Sequence, residues 1–193
     1  MFTAILPSLA VRARELRPFK RLVTADSGAT AVEFALVAAP FLALLVGLFQ
    51  TAIVFLAGRE LDEAVTAASR YILTGQAQSS NMTQSQFNSW VCQNITALFN
   101  CNNLMVNVQS YATFSSASTA NPIASFNSKG QALNSSGQVI NWSFSPGGPG
   151  DIVVVQVMYQ WPIVLGPLGF NLSNLSNGNR LLMATAAFKN EPY

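Results

Sequence analysis

The sequence predicts an α+β protein, in which a long N-terminal transmembrane helix continues into a small extracytoplasmic domain with a short helix and an antiparallel β-sheet. There is no Asp, Glu, Lys or Arg from Phe34 through Gly58, and about 20 apolar residues in a helix cross a bilayer. Further along, the hydrophobic period changes from that of a helix to the alternation of a strand. We therefore expect a cytoplasmic leader (1–28), a helix (29–75) and an α+β domain (76–193).

The composition excludes several classes of function. Charged residues make up 9% of the chain, histidine is absent, and Asp151 and Glu191 are the only carboxylates beyond Arg70. General acid–base catalysis and zinc or calcium sites need such side chains. We therefore expect neither an enzyme nor a cofactor or metal site. The basic pI comes mostly from the N-terminal arm, so it says nothing about nucleic acid. We expect no nucleic-acid partner and no small-molecule substrate.

The basic segment ahead of the apolar run predicts the orientation of the chain. Cytoplasmic flanks of a membrane helix are enriched in Lys and Arg, which puts the N-terminus inside. A secretory signal peptide fits poorly, because the apolar run is too long and lacks an A-x-A-like end. The basic residues are Arg12, Arg14, Arg17, Lys20 and Arg21.

Beyond the apolar run, the helix is predicted to continue toward Gly75, which supplies a C-terminal stop. Leu61, Ala64, Val65, Ala68 and Ile72 recur at helical spacing. Within the run, a proline removes one backbone hydrogen bond and predicts a kink. Small residues there either permit close helix packing or reflect ordinary membrane-helix composition. The proline is Pro40, and the small residues are Ala38, Ala39, Ala43 and Gly47.

A second, short helix is predicted in the domain. Thr83 and Gln86 have the spacing of a capping box, and apolar residues follow on one face as far as Phe99. Cys92 lies on this helix and Cys101 just past its end. In a domain beyond a membrane helix, such a pair is read as one disulfide; the alternative is two unpaired buried thiols.

Four strands are predicted from residue 104 onward. Asp151–Trp161 is apolar on both faces and should be central in the sheet. Leu104–Tyr111 alternates, Val139–Phe144 is a shorter candidate, and Leu181–Phe188 closes the domain. The apolar connection Pro162–Asn179 either caps the sheet or meets a partner.

The start of the helix resembles a known signal. Gly28 to Leu45 reads GATAVEFALVAAPFLALL. A glycine before a cleavable bond, with an acid five residues into the mature apolar helix, resembles the signature of prepilin peptidase substrates. The wider pattern is similar to the TadE-like family of minor pilins, or pseudopilins, of tight-adherence (Tad/Flp) type IV pili. Cys92, Cys101 and the closing Asn190-Glu191-Pro192-Tyr193 are also similar to members of that family.

The resemblance implies roles and partners. Cleavage between Gly28 and Ala29 would leave a cationic amine on Ala29, which Glu33 of another subunit would neutralise during assembly. The implied partners are the cytoplasmic membrane, a prepilin peptidase, other pilin and minor pilin subunits and the pilus assembly platform. The implied location is the bacterial inner membrane, in a single pass with the domain in the periplasm, and then the surface pilus. The alternative is an unprocessed, signal-anchored binding module.

Overall fold

The structure is a computed structural model that describes residues 26–95, 98–119, 125–163 and 171–193. The predicted leader lies almost wholly outside these residues, as does much of the apolar connection after the central strand. Contacts divide the chain between Leu44 and Leu45 into two compact units. The three-part division made from the sequence stays a prediction.

The first unit contains the start of helix α1 (Asp26–Leu73). This helix begins three residues before the predicted start at Ala29, and its helical assignment continues through Pro40. Whether that proline kinks the helix stays a prediction. Every large apolar side chain from Val32 to Leu44 is exposed. A helix that is apolar on all sides and exposed is typical of a segment that lies in lipid.

In the second unit, α1 acquires a buried face. Its buried residues recur at intervals of three and four, which places them in one stripe against the sheet. Gly75 ends the helix as predicted, with its N–H donating to the carbonyl of Ile72 over 2.9 Å and its φ at 75°. The buried stripe consists of Val54, Ala57, Leu61, Ala64, Val65, Ala68 and Ile72.

Two short helices follow, α2 (Gln76–Ser79) and α3 (Gln84–Gln93). The predicted capping box is present, because both of its reciprocal bonds between Thr83 and Gln86 form. The predicted end of α3 at Phe99 is wrong. The helix ends at Gln93, where Asn94 caps it by donating from its side chain to the carbonyl of Trp90 over 2.8 Å.

The main sheet has three antiparallel strands, β1 (Leu104–Tyr111), β4 (Ile152–Pro162) and β5 (Asn179–Lys189). Their order is β1-β4-β5, so β4 is central as predicted. Val157 pairs with Val106 on one side and with Ala184 on the other. This row and its neighbours on the same face pack against α1 and form the core. The predicted α+β class is confirmed.

The chain between β1 and β4 contains only short regular elements. Helix α4 (Phe114–Thr119) and a ribbon of β2 (Ser125–Phe126) and β3 (Ala132–Leu133) lie between β1 and β4 in the sequence. The predicted strand Val139–Phe144 is wrong, because the segment makes only isolated bridges at its two ends. Pro146, which has no N–H to donate, lies two residues beyond Phe144 and prevents the pairing from continuing past Ser145.

Candidate processing and assembly site

Gly28 and Ala29 lie near the start of α1, and Glu33 follows one turn later. Residues four apart on a helix share a face, so Glu33 lies directly above Ala29. Both side chains are exposed. The arrangement places a carboxylate beside the position where cleavage would create an amine.

Glu33 lies at the head of the exposed apolar surface, between Val32 and Phe34, which are 60% and 73% exposed. Within residues 26–95, 98–119, 125–163 and 171–193, it has no ion-pair partner. A carboxylate at the edge of hydrocarbon costs a few kcal/mol unless a cation or water reaches it. The geometry therefore leaves this carboxylate accessible to a positive group from outside the described chain.

One helix in the described residues is long and apolar enough to cross a membrane, Gly28–Leu73, with a mean hydropathy of 2.3 in its most apolar window. Its exposed apolar side chains continue past the first unit to Phe55 and Leu56. The next residues are Gly58 and the charged Arg59. The chain is therefore consistent with a single-pass membrane protein.

The comparisons with known proteins identify this same segment. Residues 28–70 match the family model of TadE-like proteins. This segment is TadE-like. The match confirms, for this segment, the resemblance seen in the sequence; it covers nearly all of α1 and leaves residues 71–193 outside. No curated protein and no solved structure matches the chain.

The domain that follows the TadE-like segment contains the predicted disulfide. Cys92, in the last turn of α3, is bonded to Cys101, which begins a 3₁₀ turn ahead of β1, and their Cα atoms are 5.8 Å apart. The bridge fixes the end of α3 to the start of the sheet. In the described part of the chain, no group of three or more His, Cys, Asp or Glu residues is placed to hold a metal ion.

Sequence reasoning missed the contacts of the C-terminal tail. The N–H of Glu191 donates to the carbonyl of Leu73 over 3.1 Å, at the end of α1. The side chain of Asn190, 3% exposed, donates to two carbonyls of the turn before β4. The ring of Tyr193 lies against Gly75, where a Cβ would be 2.5 Å from its Cγ. The tail therefore fastens the end of α1 to the sheet, and its sequence gave no local signal for this role.

Burial of the phenol and, second, the nearby carboxylate of Asp151 raise the pKa of Tyr193 above its ordinary value of 10.0. The neutral phenol is therefore the form that the folded tail favours. Burial likewise raises the pKa of Tyr111 on β1.

Proposed function

We propose that the chain is a minor pilin or pseudopilin of a tight-adherence type IV pilus. A prepilin peptidase would cleave it between Gly28 and Ala29, and the mature chain would act in pilus assembly and surface adhesion. The observation that carries this proposal is the TadE-like segment, in which Glu33 stands at the head of an exposed apolar helix, one turn after Ala29.

The physical argument concerns two charges at the edge of lipid. Cleavage converts the amide nitrogen of Ala29 into an ammonium group. An isolated ammonium and an isolated carboxylate are each costly in hydrocarbon, but a pair in contact is much less so. The carboxylate of Glu33 in one subunit would therefore meet the Ala29 amine of another as helices pass from bilayer into filament.

The mass of the mature protein tests the processing step. We expect native material to begin at Ala29. Gly28→Phe should accumulate as the full-length chain, because the bulky ring obstructs the position before the cut. Thr30→Ala is the matched control, since it lies on the other side of the cut and should be processed normally. Native material that retains its arginine-rich leader contradicts the proposal.

The role of Glu33 needs a separate readout. In Glu33→Ala and Glu33→Gln we expect normal cleavage but loss of the subunit from sheared filaments, because the amine loses its counter-charge. Thr30→Ala, again the control, should enter filaments as wild type does. Incorporation of both Glu33 variants at the wild-type level would contradict the pairing while leaving the processing step intact.

The second candidate is an unprocessed, signal-anchored binding module in the periplasm or outside the cell. The start of α1 favours it, because the helix already includes Gly28 and Ala29. A peptidase would have to unwind this turn, although the first N–H groups of a helix have no intrahelical acceptors and the turn frays readily. A native chain that starts at Met1 or Phe2 would support the anchored module.

A further inference from the structure

A groove of about 360 Å³ runs between α1 and the start of β5, wholly within the second unit. Its apolar wall includes Phe55, which is 71% exposed, and Met183, which is 54% exposed. These exposures show that the groove is open along its apolar side. The rest of that wall consists of Val54, Leu172, Leu181 and Leu182.

Two arginines line the same groove, Arg59 from α1 and Arg180 from β5. Nη1 of Arg180 donates to the carbonyl of Leu172 over 2.9 Å, which holds the guanidinium in place. Its other N–H donors have no hydrogen-bond partner among the residues that the structure describes. Among the described residues that line the groove, Asp62 is the one carboxylate, so these side chains carry a net charge of +1. Guanidinium groups match the planar, bidentate geometry of phosphate oxygens.

The groove lies at the end of the second unit where the exposed apolar surface of α1 stops. Leu48 and Phe49 are each 67% exposed, and Arg59 follows one turn beyond Phe55. The C-terminal tail, which follows the other end of β5, instead bonds to the C-terminal end of α1. Arginine just beyond a hydrocarbon-length apolar run is at the depth of lipid headgroups.

We propose that this groove binds an anionic phospholipid. Its phosphate would lie between Arg59 and Arg180, and an acyl chain would follow Phe55 toward the exposed apolar face of α1. The two cations select the anionic headgroup, and the mostly apolar wall suits a hydrocarbon chain better than a peptide, most of whose backbone groups would find no partners there. The inference rests on membrane insertion, which is part of the proposed function.

Native mass spectrometry of the full chain tests the inference. The chain is inserted into nanodiscs of phosphatidylcholine with a minority of phosphatidylglycerol, then released into detergent. We expect one retained phosphatidylglycerol per chain, in preference to phosphatidylcholine. The double variant Arg59→Gln/Arg180→Gln should retain it about thirtyfold more weakly, the loss expected for two interfacial cations.

Two further variants separate binding from folding. Arg70→Gln removes the same charge from an exposed position of α1 that does not line the groove, so retention should be unchanged. Arg180→Lys keeps the charge but loses the planar fork, so its retention of phosphatidylglycerol should lie between that of wild type and that of the double variant. Each variant is checked for formation of the Cys92–Cys101 bridge, which reports a folded domain.

The outcomes are distinguishable. A chain washed from membranes by alkaline carbonate contradicts the proposed function and this inference together. Three results contradict the inference alone, provided that the chain stays inserted. These are preferential retention of neither lipid, equal retention of phosphatidylglycerol by the double variant, and occupation of the groove by a second copy of the chain.

Discussion

Replacing Gly75 by alanine should release the C-terminal tail, and the cost can be worked from the structure. A Cβ at this position meets two obstacles. The backbone φ is 75°, and the nearest ring carbon of Tyr193 would be 2.5 Å away. An L-residue in the left-handed region costs about 1–2 kcal/mol. Displacing a half-buried aromatic ring costs about 1 kcal/mol more, and losing the Glu191–Leu73 hydrogen bond costs about another 1 kcal/mol.

Gly137→Ala supplies the matched control. Its φ is 74°, but a Cβ there would meet nothing within 4 Å, so only the backbone term of about 1–2 kcal/mol applies. We expect Gly75→Ala to lower the free energy of unfolding by about 2 kcal/mol more than the control does. In a Tyr193→Ala background, the two substitutions should cost nearly the same.

The assay is urea unfolding of the full chain in detergent micelles, followed by tryptophan fluorescence. Trp90 is a suitable reporter, because its ring stacks on Tyr71, 4.6 Å away near the end of α1. Equal losses for Gly75→Ala and Gly137→Ala in the wild-type background would refute the reasoning, since the ring contact would then contribute nothing.

Three other substitutions test the fold by the same unfolding measurement. Phe87→Ala removes a fully buried ring that packs on Phe144 and should cost about 3–5 kcal/mol; a loss under about 1 kcal/mol would contradict this packing. Cys92→Ser should cost about 2–3 kcal/mol, because the closed loop is short, and wild type under reducing conditions should show the same loss. Tyr193→Phe should reduce the loss of unfolding free energy at alkaline pH. Since the folded pKa of Tyr193 lies above 10.0, wild type loses stability as pH rises from about 10 through that folded pKa, and identical alkaline curves would contradict the shift.

The elements with strong periodicity were predictable from the sequence. The second half of α1 showed its buried stripe from Leu61 to Ile72, and β1 and β4 had the alternating and doubly apolar patterns of an outer and a central strand. In each case local spacing determines which face is buried, so no long-range information is needed. The capping box at Thr83 is local in the same sense.

The parts that sequence reasoning missed depend on distant contacts. Gly75 was recognised as a helix stop. It also contacts the ring of Tyr193, which is far away in the sequence. The segment 139–144 has the composition of a strand, yet it makes only isolated bridges at its ends. The groove with Arg59 and Arg180 likewise depends on how α1 and β5 pack.

The roles of Gly28, Ala29 and Glu33 were implied by the resemblance to prepilin peptidase substrates, and the three residues are close in sequence and lie on one helix. The structure adds that Glu33 is exposed and that the apolar side chains around it are exposed as well. The proposed partner of the Glu33 carboxylate, the Ala29 amine, belongs to another subunit.

Zero-length cross-linking of isotope-mixed filaments tests that assignment most directly. Filaments are assembled from equal amounts of ¹⁴N and ¹⁵N subunits, treated with a carbodiimide, and digested for mass spectrometry. We predict an amide bond between the Glu33 carboxyl and the mature N-terminal amine of a neighbouring subunit. Where that amine belongs to Ala29, half of the linked peptides should join a light chain to a heavy one. Linked peptides within single chains only, or an Ala29 that is still preceded by Gly28, would contradict the account.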